Sequence, residues 1–275
     1  MLEKLRNLDR RIIFICIALA VIIPYILPVA MPIQVSNPVK NLYDFIDKLP
    51  EGSKVLMSFD YGPSTKIECD PMAIAVARHA FRKNLKLVAI ALWPEGASQA
   101  RPVLTNAAKE FNKTYGTDYI NLGFKAGQIA LLKSLGTDFH NNSPTDVDKQ
   151  PIGSFPIMKE INTVKDFDLS LSFSAGKPGL VEHVVIDYSE FKVPVGGGVS
   201  AVMAPELYPY LNSGQLLGLM GGLKGAAEYE KLTDSPAEGY RGMIAQSIAH
   251  FTIGLFIILS NLFYFLSKSK KEAGK

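Results

Sequence analysis

The chain has 275 residues, is 48% hydrophobic and carries a formal net charge of +3 at pH 7. That is enough for one domain with a core of ordinary size, plus further segments. The charge is modest and mostly terminal, and no basic stripe is interleaved with aromatics, which excludes nucleic acid as an expected partner. Two cysteines, Cys16 and Cys69, give no disulfide framework.

In chain order, residues 12 to 39 contain no Asp, Glu, Lys or Arg and open with IIFICIALAVIIPYILPVA. This exceeds the about 20 apolar residues that cross a bilayer as helix, so a transmembrane helix is expected over 12–34. A cleaved signal peptide is the alternative. The length of the stretch, Pro24 and Pro28, and the missing small-x-small cleavage signal favour an uncleaved anchor. Ile13, Phe14 and Ile15 before Cys16 do not suit a lipoprotein cysteine.

PVKNLYDFIDKL at 38–49 places Val39, Leu42, Phe45, Ile46 and Leu49 at helical spacing, with Pro38 in the first turn and PEG as the stop. Strand-like runs then follow at 54–59, 85–93, 118–124, 168–175 and 191–199, with helix-like segments between them at 71–84, 97–115, 125–139 and 178–190. Buried strands alternating with helices predict an α/β domain over 35–240 with a mostly parallel, Rossmann-like layered sheet. Polar, Pro-rich residues 136–167 break the rhythm and read as either a surface excursion or a functional loop.

In such sheets ligands sit outside the carboxyl ends of the strands. The loops there read YGPSTKIECD, PEGASQARP, KAGQ, AGKPG and GGGVSA, each with Gly, and four of them supply Lys66, Arg101, Lys125 and Lys177. Those four cations, beside free N–H groups at helix starts, suit a phosphate or carboxylate. Ordinary turns explain the same glycines. GxGxxG after the first strand and GxxxxGK[ST] are both missing, so nucleotide is not expected.

The first loop holds Asp60, Ser64, Glu68, Cys69 and Asp70. Asp70 reads as a helix N-cap and Pro71 as the first helical residue. Cys69 is a candidate nucleophile beside a helix start, but it needs a base. His79 lies ten residues along the same helix, about 15 Å away. His140 and His183 are the other candidates. A cation site from Asp60, Glu68, Asp70 and Glu95 has no recognisable spacing, and neither metal nor cofactor is expected.

YLNSGQLLGLMGGLKGAAEYEKL at 210–232 carries Gly214, Gly218, Gly222 and Gly225 at intervals of four, four and three. Two readings compete: a helical glycine stripe against which another helix, the sheet or a partner packs, or a segment broken into loop at Gly218 and Gly221–Gly222. A second uncharged stretch, 242–267, predicts another transmembrane helix, with Gln246 and His250 as helix-packing or partner contacts. Lys4, Arg6, Arg10 and Arg11 before the first span and Lys268, Lys270, Lys271 and Lys275 after the second outweigh Lys40, Lys48, Lys231 and Arg241 on the inner flanks. Segments 1–11 and 268–275 are therefore expected in the cytoplasm and the domain outside it. This layout points to a cell-membrane protein that is a non-catalytic accessory or scaffold subunit, either a homo-oligomer or joined to other membrane subunits. The alternatives are an extracytoplasmic binding or sensing module for a small anion and a membrane-anchored hydrolase.

Overall fold

Residues 10–27, 31–235 and 237–273 are described by a computed structural model. They fall into two units, one of Ile33–Tyr240 and one of the segments up to Pro32 and from Arg241. In chain order the elements begin with α1 (Arg10–Ile26), α2 (Asn37–Lys48), β1 (Lys54–Asp60), α3 (Lys66–Arg82), β2 (Lys86–Ala91), α4 (Gly96–Glu110) and β3 (Tyr119–Phe124). Then come α5 (Gln128–Leu135), α6 (Phe139–Asn142), β4 (Leu169–Ser174), α7 (Leu180–His183), β5 (Val195–Val199) and α8 (Ala204–Asn212). The last elements are β6 (Leu219–Gly221), α9 (Gly222–Leu232) and α10 (Glu238–Ala273).

The six strands form one all-parallel sheet in the order β3-β2-β1-β4-β5-β6. The chain builds outward from β1 to β3, returns to pair β4 with β1, and builds outward on the other side. β1 and β4 therefore flank the point where the winding reverses, as in Rossmann-like sheets. Their pairing ends at Asp60 opposite Ser174.

Strand alternation sorts the core into two faces. Val55, Met57 and Phe59 of β1 and Leu169, Leu171 and Phe173 of β4 pack with Met72, Val76 and Ala80 of α3. On the other face Leu56, Val88, Ile90, Ile120 and Leu122 pack under α5. The irregular stretch belongs to this second core, where Ile152, Ile157, Met158, Ile161, Val164 and Phe167 are buried. It stands where a crossover helix would otherwise cover the sheet, held by α6 and three single 3-10 turns.

Two expectations need correction. The helix after β1 starts at Lys66 with Thr65 as its N-cap, so Asp70 and Pro71 lie inside it. Pro71 deprives the Ile67 carbonyl of its helical donor, and Ile67 is exposed, where water can take that place. GGGVSA is not all loop, because Gly196, Gly197 and Gly198 are inside β5. A Cβ on Gly197 would stand 2.0 Å from the Ser172 carbonyl oxygen, and one on Gly198 2.6 Å from Met72 Sδ.

The segment 210–232 is not one helix. α8 ends at Asn212, Gly214 turns at φ +72°, and Gly218 precedes β6, a sixth strand that the sequence reading did not contain. Gly222 at φ +55° then starts α9. Gly218 and Gly225 do serve close packing: their Cβ atoms would lie 2.5 Å from the Pro38 carbonyl oxygen and 2.8 Å from Met220.

Of the two expected spanning helices, one is long and apolar enough to cross a membrane among the described residues, Glu238–Leu266. α1 has 17 residues, about 25 Å at the helical rise against about 30 Å of hydrocarbon. Residues 31–36 are not helical, and 28–30, inside the expected first span, lie outside the described residues. The expected cytoplasmic basic residues Lys4, Arg6 and Lys275 do so too.

Candidate functional site

The winding reversal puts the loops after β1 and β4 side by side. After β1 the chain folds back on α3: Tyr61 Oη donates to Asp70 Oδ1 at 2.6 Å, and Lys66 Nζ lies 3.4 Å from Asp70 Oδ2. α4 starts so close to the end of β1 that a Cβ on Gly96 would stand 1.8 Å from the Phe59 carbonyl oxygen. On the other side Trp93 Nε1 donates to the Pro178 carbonyl at 2.8 Å, closing the loop after β4. Glu68 Oε2 accepts the Ala201 N–H at 2.8 Å and ties α3 to the loop after β5.

Directly beneath this edge, on the α7 face, lies a sealed polar cluster. Asp60 Oδ1 accepts from Ser58 Oγ and from the Leu92 N–H, both at 2.8 Å, and Oδ2 accepts from Ser172 Oγ at 2.9 Å. His183 Nε2 sits 3.8 Å from Asp60 Oδ2, while Nδ1 is 2.7 Å from Asp187 Oδ2. Ser170 Oγ donates to the same Asp187 oxygen at 2.6 Å. Asp187 reaches this position because α7 continues as a π-helical turn over Val184–Tyr188. Asp60, Ser58, Ser170, Ser172, His183 and Asp187 are all fully buried.

Burial pushes the Asp60 carboxyl above its ordinary range, against the opposing pull of His183 and three hydrogen bonds. Burial alone would lower His183, but Asp187 and Asp60 outweigh it and hold the imidazole above its ordinary value. The imidazole thus lies between two buried carboxyl groups. This is not a nucleophile triad, in which serine and carboxylate use opposite ring nitrogens. Here Ser170 and Asp187 meet at the Nδ1 side and Asp60 faces Nε2, so no hydroxyl gains a base, and no solvent-borne substrate reaches any of them. The cluster locks α7 to β1 and β4.

Cys69 is fully buried, and burial pushes its thiol far up, beyond the range of a reactive thiolate. His79 points elsewhere, with Nδ1 2.8 Å from Tyr229 Oη, and His140 Nε2 lies 3.2 Å from the Met158 carbonyl oxygen. The four loop carboxylates also separate: Asp60 into the sealed cluster, Glu68 to Ala201, Asp70 to Tyr61, and Glu95 exposed at the start of α4.

The four cations are not joined. Lys66 pairs with Asp70, Arg101 Nη2 with Asp148 Oδ1 at 2.6 Å, Lys177 with Glu206, and Lys125 Nζ donates to the Thr145 carbonyl at 2.7 Å. Among the described residues no hydrogen bond or ion pair links any two of them. Lys125 follows β3 and Lys177 follows β4, three strand spacings or about 14 Å apart across the sheet. Of the helix-packing candidates, Gly218 meets α2 and Gly225 meets Met220. Gln246 and His250 are exposed on α10.

Asp60 and His183 were visible in the sequence as isolated candidates; Ser58, Ser170, Ser172 and Asp187 were not singled out. Their signal was the alternation of serine in LMSFD and LSLSFS, which at a period of two sets every serine on one face of the sheet. Comparison with protein-family models, curated proteins and solved structures gave no match.

Proposed function

We propose that this chain is a membrane-anchored, non-catalytic accessory subunit of a membrane assembly. In this reading α1 and α10 both enter the bilayer, the termini are cytoplasmic, and the α/β domain stands outside the cytoplasm. Basic residues concentrated on the outer flanks of both apolar stretches support that orientation. Large apolar side chains on both helices support insertion, with Phe14 67% and Phe251 73% exposed. In water each such side chain forfeits about 1.5–3 kcal/mol that burial supplies.

The observation that carries the assembly reading is a groove between α1 and α10. It is a shallow, open groove of about 350 Å³ lined by Ile13, Ile17, Ile253 and Phe256, with Ser260 and Asn261 also in its lining. Polar side chains in apolar surroundings hydrogen-bond across to a facing helix. A further transmembrane helix, from a second copy of this chain or from another subunit, fills that role. The sealed thiol of Cys69 and the sealed His183 cluster favour this reading over a hydrolase. An anion-sensing module built on Lys66, Arg101, Lys125 and Lys177 requires those side chains to leave their present partners.

The test is cross-linking in native membranes. With Cys16→Ser as background, Ser260→Cys should join to a second polypeptide through a short bifunctional thiol reagent carried by a cysteine-scanned partner helix or a second copy. A Ser260→Cys protein that a monofunctional reagent labels fully, yet that joins to nothing, contradicts the reading.

A further inference from the structure

α10 carries a line of polar side chains that its own chain leaves unused. Ser247 Oγ and Thr252 Oγ1 are satisfied within the helix, donating to the Met243 and Ile248 carbonyls at 2.8 Å. Gln246, His250, Ser260 and Asn261 are exposed and make no hydrogen bond among the described residues. All four lie between Glu238 and Leu266, the stretch long and apolar enough to cross a membrane. Polar groups left without a partner in hydrocarbon are costly and as a rule face other helices.

The four are not scattered round the helix. Gln246, His250, Ile253, Ile257 and Ser260 follow one another at intervals of four, three, four and three, and Asn261 stands beside Ser260. At 3.6 residues per turn these positions fall within about 100° of the helix circumference. Ile253 and Ile257 are exposed as well, so the seam is open from end to end. Alternating intervals of four and three make the 3.5-residue repeat that keeps one seam against a partner helix in a left-handed pair. A Cβ on Gly254, at the border of the seam, would meet nothing within 4 Å, which leaves room for close approach. Ile253, Ile257, Ser260 and Asn261 also line the groove beside α1, so a helix laid on the seam enters that groove.

We propose that the occupant is a second copy of this chain, the two α10 helices pairing in parallel along this seam. The inference rests on the membrane-inserted reading above and names its partner. Two copies insert with the same topology, so in a symmetric pair each seam residue meets its own counterpart at the same depth. The side chains suit that meeting. The amides of Gln246 and Asn261, the hydroxyl of Ser260 and an imidazole with one ring proton each hold a donor and an acceptor, so each can pair with its own kind. Residues 242–267 contain no Asp, Glu, Lys or Arg, so two identical seams bring no like charges together there. A polar side chain in such a seam also specifies register and oligomer state. A helix of different sequence needs matching polar groups at all three levels, 246, 250 and 260–261.

The experiment uses the full chain in native membranes with Cys16→Ser as background, which leaves the buried Cys69 as the remaining native thiol. Ile253→Cys and Ile257→Cys on the seam are compared with Phe251→Cys and Ile258→Cys, exposed on the opposite face, under mild oxidation. The seam variants should give a disulfide-linked dimer at twice the chain mass, and the opposite-face variants should stay monomeric. Gln246→Leu combined with Asn261→Leu should loosen the dimer in detergent at least about tenfold, since it removes two self-pairing amides. Equal disulfide formation on both faces overturns the proposal, as does an undiminished dimer in the double-Leu variant. So does the absence of dimer from seam cysteines that a membrane-permeant monofunctional reagent labels fully. Seam cysteines that a bifunctional reagent joins to a different polypeptide overturn the second copy while leaving the accessory-subunit reading standing.

Discussion

Glu228 and Ser36, 192 residues apart in the chain, are joined by two hydrogen bonds: Glu228 Oε2 accepts the Ser36 N–H at 2.9 Å and its hydroxyl at 2.5 Å. Ser36 is the N-cap of α2, and its side chain caps nothing within its own helix. Two residues further along α9, Glu230 accepts the N–H groups of Ala237, Gly239 and Tyr240 at 2.8 to 2.9 Å. Both carboxylates are buried. One helix therefore grips the chain where it joins the domain and where it leaves toward α10, and Lys231 Nζ adds a bond to the Ile33 carbonyl.

Glu230→Ala orphans three backbone donors, at about 1–3 kcal/mol for each that stays dry. The expected result is a loss of about 3 kcal/mol and a selective loss of hydrogen-exchange protection at residues 237–240. Glu230→Gln should recover part of it, since its oxygen still accepts. Uniform loss of protection across the sheet would count against a local grip.

His183 and His79 should bend the stability profile in opposite directions. The folded value of His183 is raised above 6.5, so its contribution is complete below that pH and fades as pH rises through the folded value. Burial lowers His79 below 6.5, against the pull of Asp47, so the folded state loses stability there as pH falls below 6.5. His183→Gln, which removes the ring between Asp60 and Asp187, should cost more at acidic than at alkaline pH. His79→Gln should cost least at acidic pH. Denaturation at a series of pH values checks both, and parallel profiles for the two variants would contradict the assignment.

Much of the fold is written in local pattern. α2 shows its buried Val39, Leu42 and Ile46 at helical spacing, and each of β1 to β5 falls within a strand-like run read from the sequence. The misread parts depend on what lies far along the chain. Asp70–Pro71 has the composition of a cap, yet Tyr61 takes the Asp70 carboxylate and the helix starts a turn earlier. β6 is three residues preceded by Gly218 and ending in Gly221, and only its neighbour β5 makes it a strand. Arg101 and Lys177 looked unengaged because Asp148 and Glu206 are 47 and 29 positions away. The serine face of β4 was legible, but the π-turn that brings Asp187 to Ser170 was not.

Glycine positions separate packing from turn geometry. Gly218→Ala drives a methyl into the Pro38 carbonyl and Leu42 at 2.5 to 2.7 Å, and overpacking of this kind costs about 1–3 kcal/mol. Gly214 has open space but a φ of +72°, so Gly214→Ala should cost about 1 kcal/mol from backbone strain alone. Urea midpoints in the two variants measure the difference. A larger loss at Gly214 would contradict the packing of β6 on α2.

Topology is readable from Val202, 85% exposed in the loop after β5. Buried Cys69 should resist an impermeant maleimide, whereas Val202→Cys should react in intact cells stripped of their outer barrier. Reaction only after lysis would reverse the orientation.

The most direct test of the accessory-subunit account is the native mass of the particle extracted from membranes in a mild detergent. The account predicts a defined assembly well above the 30.1 kDa chain, containing further copies or a second membrane protein and falling apart when Ser260 and Asn261 are both replaced by Leu. A stable, homogeneous monomer at the mass of one chain would contradict it.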